Sequence, residues 1–332
     1  MGDVDGAWAC QILRVTETGT FERGFSTLQL LADADDQDRF DRIRRTLFAA
    51  RSQRPQPKLD DKIVAAWNGL AIAALAEAGI LFEKPTWIAA AESAAELLTR
   101  LHLGNHGANR LNRTSRQGVV GSNWGVLDDY ADVAEGFLAL YQVTGKLKWL
   151  DETGKLLDTA VTNFSNDSNG FFYTDAGAPN LVQRPTIVYD NAEPSGWFAL
   201  SKALLAYSAI TGKSEYRGIA EGALTPVTEL ASTSPTGVGW GLVAAQMLID
   251  GPVQIAIVGA DDEKRTNFVR AAWRSPKPGT VIAFCEFPLD SSPELLRDRP
   301  MIDMKPTVYL CRGFVCEQPT NDLEKFQELL DY

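Results

Sequence analysis

One plan recurs three times along the chain: a polar or acidic head, a long apolar run, a glycine, a short link bearing an aromatic residue, and a second, more amphipathic run. The copies are "DDKIVAAWNGLAIAALAEAG", "LDDYADVAEGFLALYQVTG" and "NAEPSGWFALSKALLAYSAITG". Their closing glycines, Gly79, Gly145 and Gly212, stand 66 and 67 residues apart. Self-similarity at a fixed period marks a repeat architecture. Each unit reads as a helical hairpin. A near-buried helix ends on a glycine suited to a left-handed cap, and a surface helix follows. Buried helices inside a layer of exposed ones describe an α/α toroid; an open α-solenoid is the alternative.

The predicted fold is mainly α. Residues 1–251 are expected to form an incomplete α/α toroid, with irregular structure and short strand-like pieces over residues 1–34 and a charged helix near Asp36–Gln53. "PTGVGWGLVAAQMLID" offers a fourth buried helix. After Gly251 the pattern changes to apolar strands ("PVQIAIVG", "TVIAFCEF", "PTVYLC") around a helix, "DDEKRTNFVRAAW", expected to be capped by Asp261. Residues 252–332 are therefore expected to be a small α/β segment closed by a terminal helix.

Composition narrows the function. A net charge of -11 would repel nucleic-acid phosphates, and no Lys/Arg run offsets it. Ile63 to Phe82 is long enough to span a bilayer, but Asn68 and Glu77 would then sit at membrane depth, so a buried helix is expected and no membrane partner. The N-terminal "MGDVDGAWAC" has no basic and apolar leader pattern, and four cysteines are too few for a disulfide framework, which points to a cytoplasmic protein.

Each buried helix opens with acids or amides: Asp60 and Asp61, Asp128 and Asp129, then Asp190, Asn191 and Glu193. In a toroid these starts share one rim, where free backbone N–H groups and the positive helix ends also gather. Convergent carboxylates beside Trp67, Trp124, Tyr130 and Trp197 suit a small sugar, with rings stacking on it and acids binding its hydroxyls. Asp61, Asp128, Asp129 and Glu193 are the candidate acid/base carboxylates. Trp67, Asn68, Trp124, Tyr130, Asn191 and Trp197 are the candidate substrate contacts. Simple capping remains the alternative, since Asp is a preferred N-cap. Asp128, Asp132 and Glu135 share one helical face, either solvated or lining the inside of the ring.

His102 and His106 have metal-compatible spacing but sit in a Gly- and Asn-bearing segment without an adjacent third ligand, so no metal is expected. Cys311 and Cys316 are a structural pair, two buried thiols or a redox pair. No P-loop, dinucleotide or hydrolase-elbow motif occurs, and no cofactor is expected.

"LDDKIVAAWNGLAIAALAEAG", "LDDYADVAEGFLALYQVTG", "YDNAEPSGWFAL" and "PTVYLCRGFVCEQPTND" together resemble the thioredoxin-domain-containing spermatogenesis-associated protein 20 family. The resemblance implies a thioredoxin-like domain followed by a six-hairpin, glycosidase-like (α/α)6 barrel. Family motif positions fall on Asp60, Asp61, Trp67, Asn68 and Gly69. They continue at Asp128, Asp129, Tyr130, Glu135 and Gly136, then at Asn191, Glu193, Pro194, Ser195 and Gly196, and end at Cys311 and Cys316. The thioredoxin-like domain and the first barrel hairpins have no counterpart here, and Trp197 stands where the family usually has Asn. The chain is thus expected to be a C-terminal part, a partial (α/α)6 toroid with an exposed apolar flank. Two functions follow. One is a carbohydrate-processing or carbohydrate-binding protein, either active or an inactive fragment. The other is a non-enzymatic scaffold or redox-linked partner that pairs with a missing N-terminal half or a thioredoxin-like protein.

Overall fold

The computed structural model describes residues 1–103, 110–178, 182–275 and 277–331. The chain divides into two compact units, Met1–Asp60 and Asp61–Tyr332.

In the first unit, helix α1 (Asp3–Ile12) packs on α2 (Gln37–Ser52). Arg39 of α2 donates to Asp5 at 2.9 Å and lies 4.8 Å from the Trp8 ring centre. The α1 segment is helical where irregular structure was expected: Asp3 and Asp5 occupy its first turn, favourable at a positive helix end. Asp36 caps α2 by accepting from the Arg39 N–H.

The second unit is built from helical hairpins. Strand β1 (Ile63–Val64) leads into α3 (Ala65–Leu81), which turns back as α4 (Pro85–Leu97). A link carrying β2 (Thr114–Arg116) and β3 (Val119–Val120) follows, and β2 pairs antiparallel with both β1 and β3. The next hairpins are α5 (Leu127–Thr144) with α6 (Leu147–Phe164), and α7 (Gly196–Thr211) with α8 (Ser214–Leu224). Pro226 lacks the N–H a continuing helix needs, so a separate α9 (Val227–Thr233) follows. Helix α10 (Gly239–Asp250) is the fourth inner helix.

Inner helices α3, α5, α7 and α10 stand side by side in that order, each of the first three backed by its own outer partner. Every residue of α5 from Leu127 to Tyr141 is buried, so α5 is the centre of the row. The ends of the row are open and apolar: α3 exposes Trp67 and Leu81, and α10 exposes Leu242, Val243 and Ile249.

Gly145 (φ +68°) and Gly212 (φ +77°) are left-handed caps of α5 and α7. Gly79 is not a cap. It lies inside α3, where a Cβ would come within 2.5 Å of Ile88, so it is there to let α4 approach.

The C-terminal segment adds a four-stranded sheet. Its strands are β4 (Val253–Val258), β5 (Val281–Cys285), β6 (Thr307–Arg312) and β7 (Val315–Cys316), in the order β5-β4-β6-β7. Only β4 and β5 run parallel. Helix α11 (Glu263–Trp273) joins them, N-capped by Asp262 rather than Asp261, and packs on α12 (Leu323–Asp331) through Phe268 and Phe326. No helix among the described residues is long and apolar enough to cross a membrane.

Helices α3 and α5 cross at two glycines. A Cβ on Gly69 would sit 2.4 Å from the Asp132 carbonyl, and one on Gly136 would sit 2.6 Å from the Gly69 oxygen. Both obstacles are backbone, which cannot swing away as a side chain can. Gly69→Ala should therefore cost about 1–3 kcal/mol in urea unfolding. Gly218→Ala, on α8 with nothing within 4 Å, should gain about 0.5–1 kcal/mol. Equal effects at the two positions would contradict the tight crossing.

Candidate functional site

The paired acids that open α5 reach sideways, one to each neighbouring helix. Asp129 accepts the Ala66 N–H at the start of α3 at 3.0 Å. Its other oxygen accepts the Val126 N–H at 2.9 Å and faces the Arg113 guanidinium at 3.4 Å. Asp128 accepts the Gly196 N–H, the first of α7, at 2.8 Å. Asp190 repeats the device: it accepts the Ser195 N–H at 2.9 Å and, across to α10, the Trp240 N–H at 2.8 Å. The inner helices therefore start on a common rim, and carboxylates tie each start to the next.

This engagement counts against Asp128 or Asp129 as a free acid/base group partnered by Glu193 or Asp61, because backbone amides already occupy both. Burial pushes Asp129 up to about 6, against the pull of Arg113 and of the two N–H donors. Burial also raises Asp128, opposed by hydrogen bonds from Tyr173 and the Gly196 N–H.

One turn further on, Asp132 is fully buried and neither oxygen has a protein hydrogen-bond partner. Burial first, then Glu135, Asp128, Glu193 and Asp129, push it up to about 9. It carries a proton at neutral pH. The face shared by Asp128, Asp132 and Glu135 is thus interior. Glu135 is paired with Lys202 of α7 at 2.9 Å.

Glu193, in the loop before α7, is half-buried and accepts the Trp67 indole N–H at 2.7 Å. Trp67 comes from α3, so this bond reaches across the start of α5. The Trp67 ring remains 55% exposed.

The other expected positions lie elsewhere. Asp61 pairs with Arg116 and accepts from Gln117 at 3.2 Å on the β2–β3 hairpin; the Gln117 bond leads in lowering its pKa. Asn68 donates to the Val64 carbonyl at 2.8 Å, and Asn191 is exposed in the loop before α7. Tyr130 is in the core, with its hydroxyl accepting the Leu111 N–H at 2.9 Å. Trp197 is also core: its indole donates to the Ala223 carbonyl at 2.7 Å and its ring meets Phe171 edge-on. The half-buried Trp124 has the Arg110 guanidinium 4.0 Å from its ring centre. Of the four aromatic rings, Trp67 alone offers an open face.

Both ring nitrogens of buried His102 are taken, by the Asn112 carbonyl at 2.7 Å and the Ser115 hydroxyl at 2.9 Å. His106 lies outside the described residues. Cys311 and Cys316 face each other on β6 and β7 and form a disulfide.

Human spermatogenesis-associated protein 20 is 31% identical over 301 residues, 86% of this chain. The chain is related to the spermatogenesis-associated protein 20 family. The mouse protein of that name is 30% identical over the same share, and a Caenorhabditis elegans protein, uncharacterized protein B0495.5, is 28% identical over 88%. The chain spans about two fifths of the length of these relatives, 38% to 41%. No family model matches the chain. Among solved structures, cellobiose 2-epimerase from Spirochaeta thermophila aligns with TM-score 0.47 and 14% identity over 66% of this chain and 67% of that one. A Paenibacillus beta-1,3-1,4-glucanase aligns with TM-score 0.39 and 12% identity over 61% and 55%.

Asp132 gives this site a pH signature. Its folded pKa lies above the unfolded one, so the folded chain keeps a proton that the unfolded chain releases. That contribution is complete below about pH 4 and is lost as pH climbs toward 9. Asp132→Asn has no such loss. Its urea midpoint relative to the parent should rise between pH 4 and 9 and then level off; a gap independent of pH would contradict the assignment.

Proposed function

We propose that the rim formed by the starts of α3, α5 and α7 binds a carbohydrate and carries out acid/base chemistry on it. One observation carries this reading: the Trp67–Glu193 bond of 2.7 Å holds an exposed indole face beside a carboxylate that solvent reaches. A sugar can lay its C–H face on the ring and give its hydroxyl hydrogens to Glu193. Glu193 is the group that touches substrate and exchanges the proton. Asp132 is a positioning residue beneath it, neutral at physiological pH and electrostatically linked to Glu193.

A second reading has its own support. The exposed Leu242, Val243 and Ile249 of α10 form an apolar edge of the kind that docks a further helical layer. Under it the chain is a scaffold that pairs with the part of its relatives that lies outside this sequence, or with a thioredoxin-like protein. Its mark is concentration-dependent association without saccharide binding.

The test is a panel of neutral mono- and disaccharides read by tryptophan fluorescence and by product analysis. Binding should weaken at least tenfold in Trp67→Ala and survive in part in Trp67→Phe, which keeps a ring face. Glu193→Gln should lower kcat about 10²–10⁴-fold with a smaller change in KM. Saccharide binding unchanged in Trp67→Ala, or no binding across the panel, would overturn the reading.

A further inference from the structure

Away from the rim, α3, α5, α7 and α10 enclose a cavity of about 320 Å³ closed on one side by Gly279–Val281. Leu, Ala, Val and Met side chains supply its apolar wall, and its volume is at the low end of small-molecule sites. The polar groups inside are unbalanced. Lys202 donates to Glu135 at 2.9 Å and lies 4.8 Å from the Trp240 ring centre. Glu77 supplies a second carboxylate, so the cavity has two acids for one ammonium. Glu77 is exposed as a residue, yet desolvation leads in raising its carboxyl pKa, with Glu135 adding and Lys202 opposing. Trp240 and Trp273 add indole rings to the lining.

An anion would meet the excess negative charge. A neutral polyol would leave that charge unmatched. A cation with an apolar body answers the second carboxylate and can also lie over indole faces. We propose that this cavity binds a small organic amine with an apolar or aromatic body. The site shares no residue with the Trp67–Glu193 rim.

The probe is tyramine, which has an ammonium, a ring and a phenolic oxygen. Its neutral and anionic counterparts are para-ethylphenol and para-hydroxyphenylpropionate. Calorimetric titration at neutral pH should show tyramine binding at least tenfold tighter than para-ethylphenol and no binding of the propionate. Glu77→Gln should weaken tyramine at least tenfold with an unchanged unfolding midpoint. Ala74→Phe, at an exposed lining position, should block the cavity. Trp67→Ala should leave tyramine affinity intact, which separates this site from the rim. Absence of tyramine binding, equal or tighter binding of the propionate, or unchanged affinity in Glu77→Gln would overturn the proposal.

Discussion

Backbone amides at the starts of the inner helices need acceptors, and the chain supplies them from the neighbouring element. An isolated helix leaves its first N–H groups unpaired. Here Asp129 serves the start of α3, Asp128 the start of α7, and Asp190 the start of α10. Each bond satisfies a donor and sets the height of one helix against the next. A hydrogen bond to a charged group contributes more than a neutral one, about 1.5–3 kcal/mol. Three such bonds fix the register of a four-helix row more sharply than alanine and leucine packing alone. The glycine crossing of α3 and α5 complements them, since it lets the two backbones approach closely enough for Asp129 to reach Ala66.

The same arrangement creates the unusual electrostatics of the rim. With Asp128 and Asp129 engaged, the next acid along the helix faces a crowded interior. Asp132 has no hydrogen-bond partner there and responds by staying protonated. Glu135, one turn lower, stays compensated because α7 brings Lys202 to it. A line of carboxyl side chains thus runs inward from the rim along α5, and its members differ in what they pair with. Glu193 stands at the outer end of that line, where solvent and Trp67 both reach it.

Much of this was legible in the sequence. The spacing of Gly145 and Gly212, the apolar runs and the doubled acids led to parallel inner helices with outer partners and a shared acidic rim. Which neighbour each acid would serve was not legible, because Asp129 and Ala66 are 63 residues apart and Asp128 and Gly196 are 68. Sequence patterns report a cap on its own helix and are silent about a cap on the next. The aromatic residues show a finer limit. Trp67 is the third residue of α3 and Trp197 the second of α7. One position turns a side chain by roughly 100° around a helix. That rotation is enough to leave one indole open and bury the other against Ala223. Tyr130 lies in the core for a related reason: its acceptor role to Leu111 depends on a link whose path no local pattern encodes.

Amide hydrogen exchange in Asp129→Ala and Asp128→Ala tests cross-helix capping most directly. Asp129→Ala should expose the Ala66 amide, on α3, and Asp128→Ala the Gly196 amide, on α7, each far along the chain from the substitution. Loss of protection confined to the first turn of α5 in both variants, with Ala66 and Gly196 exchanging as before, would contradict it.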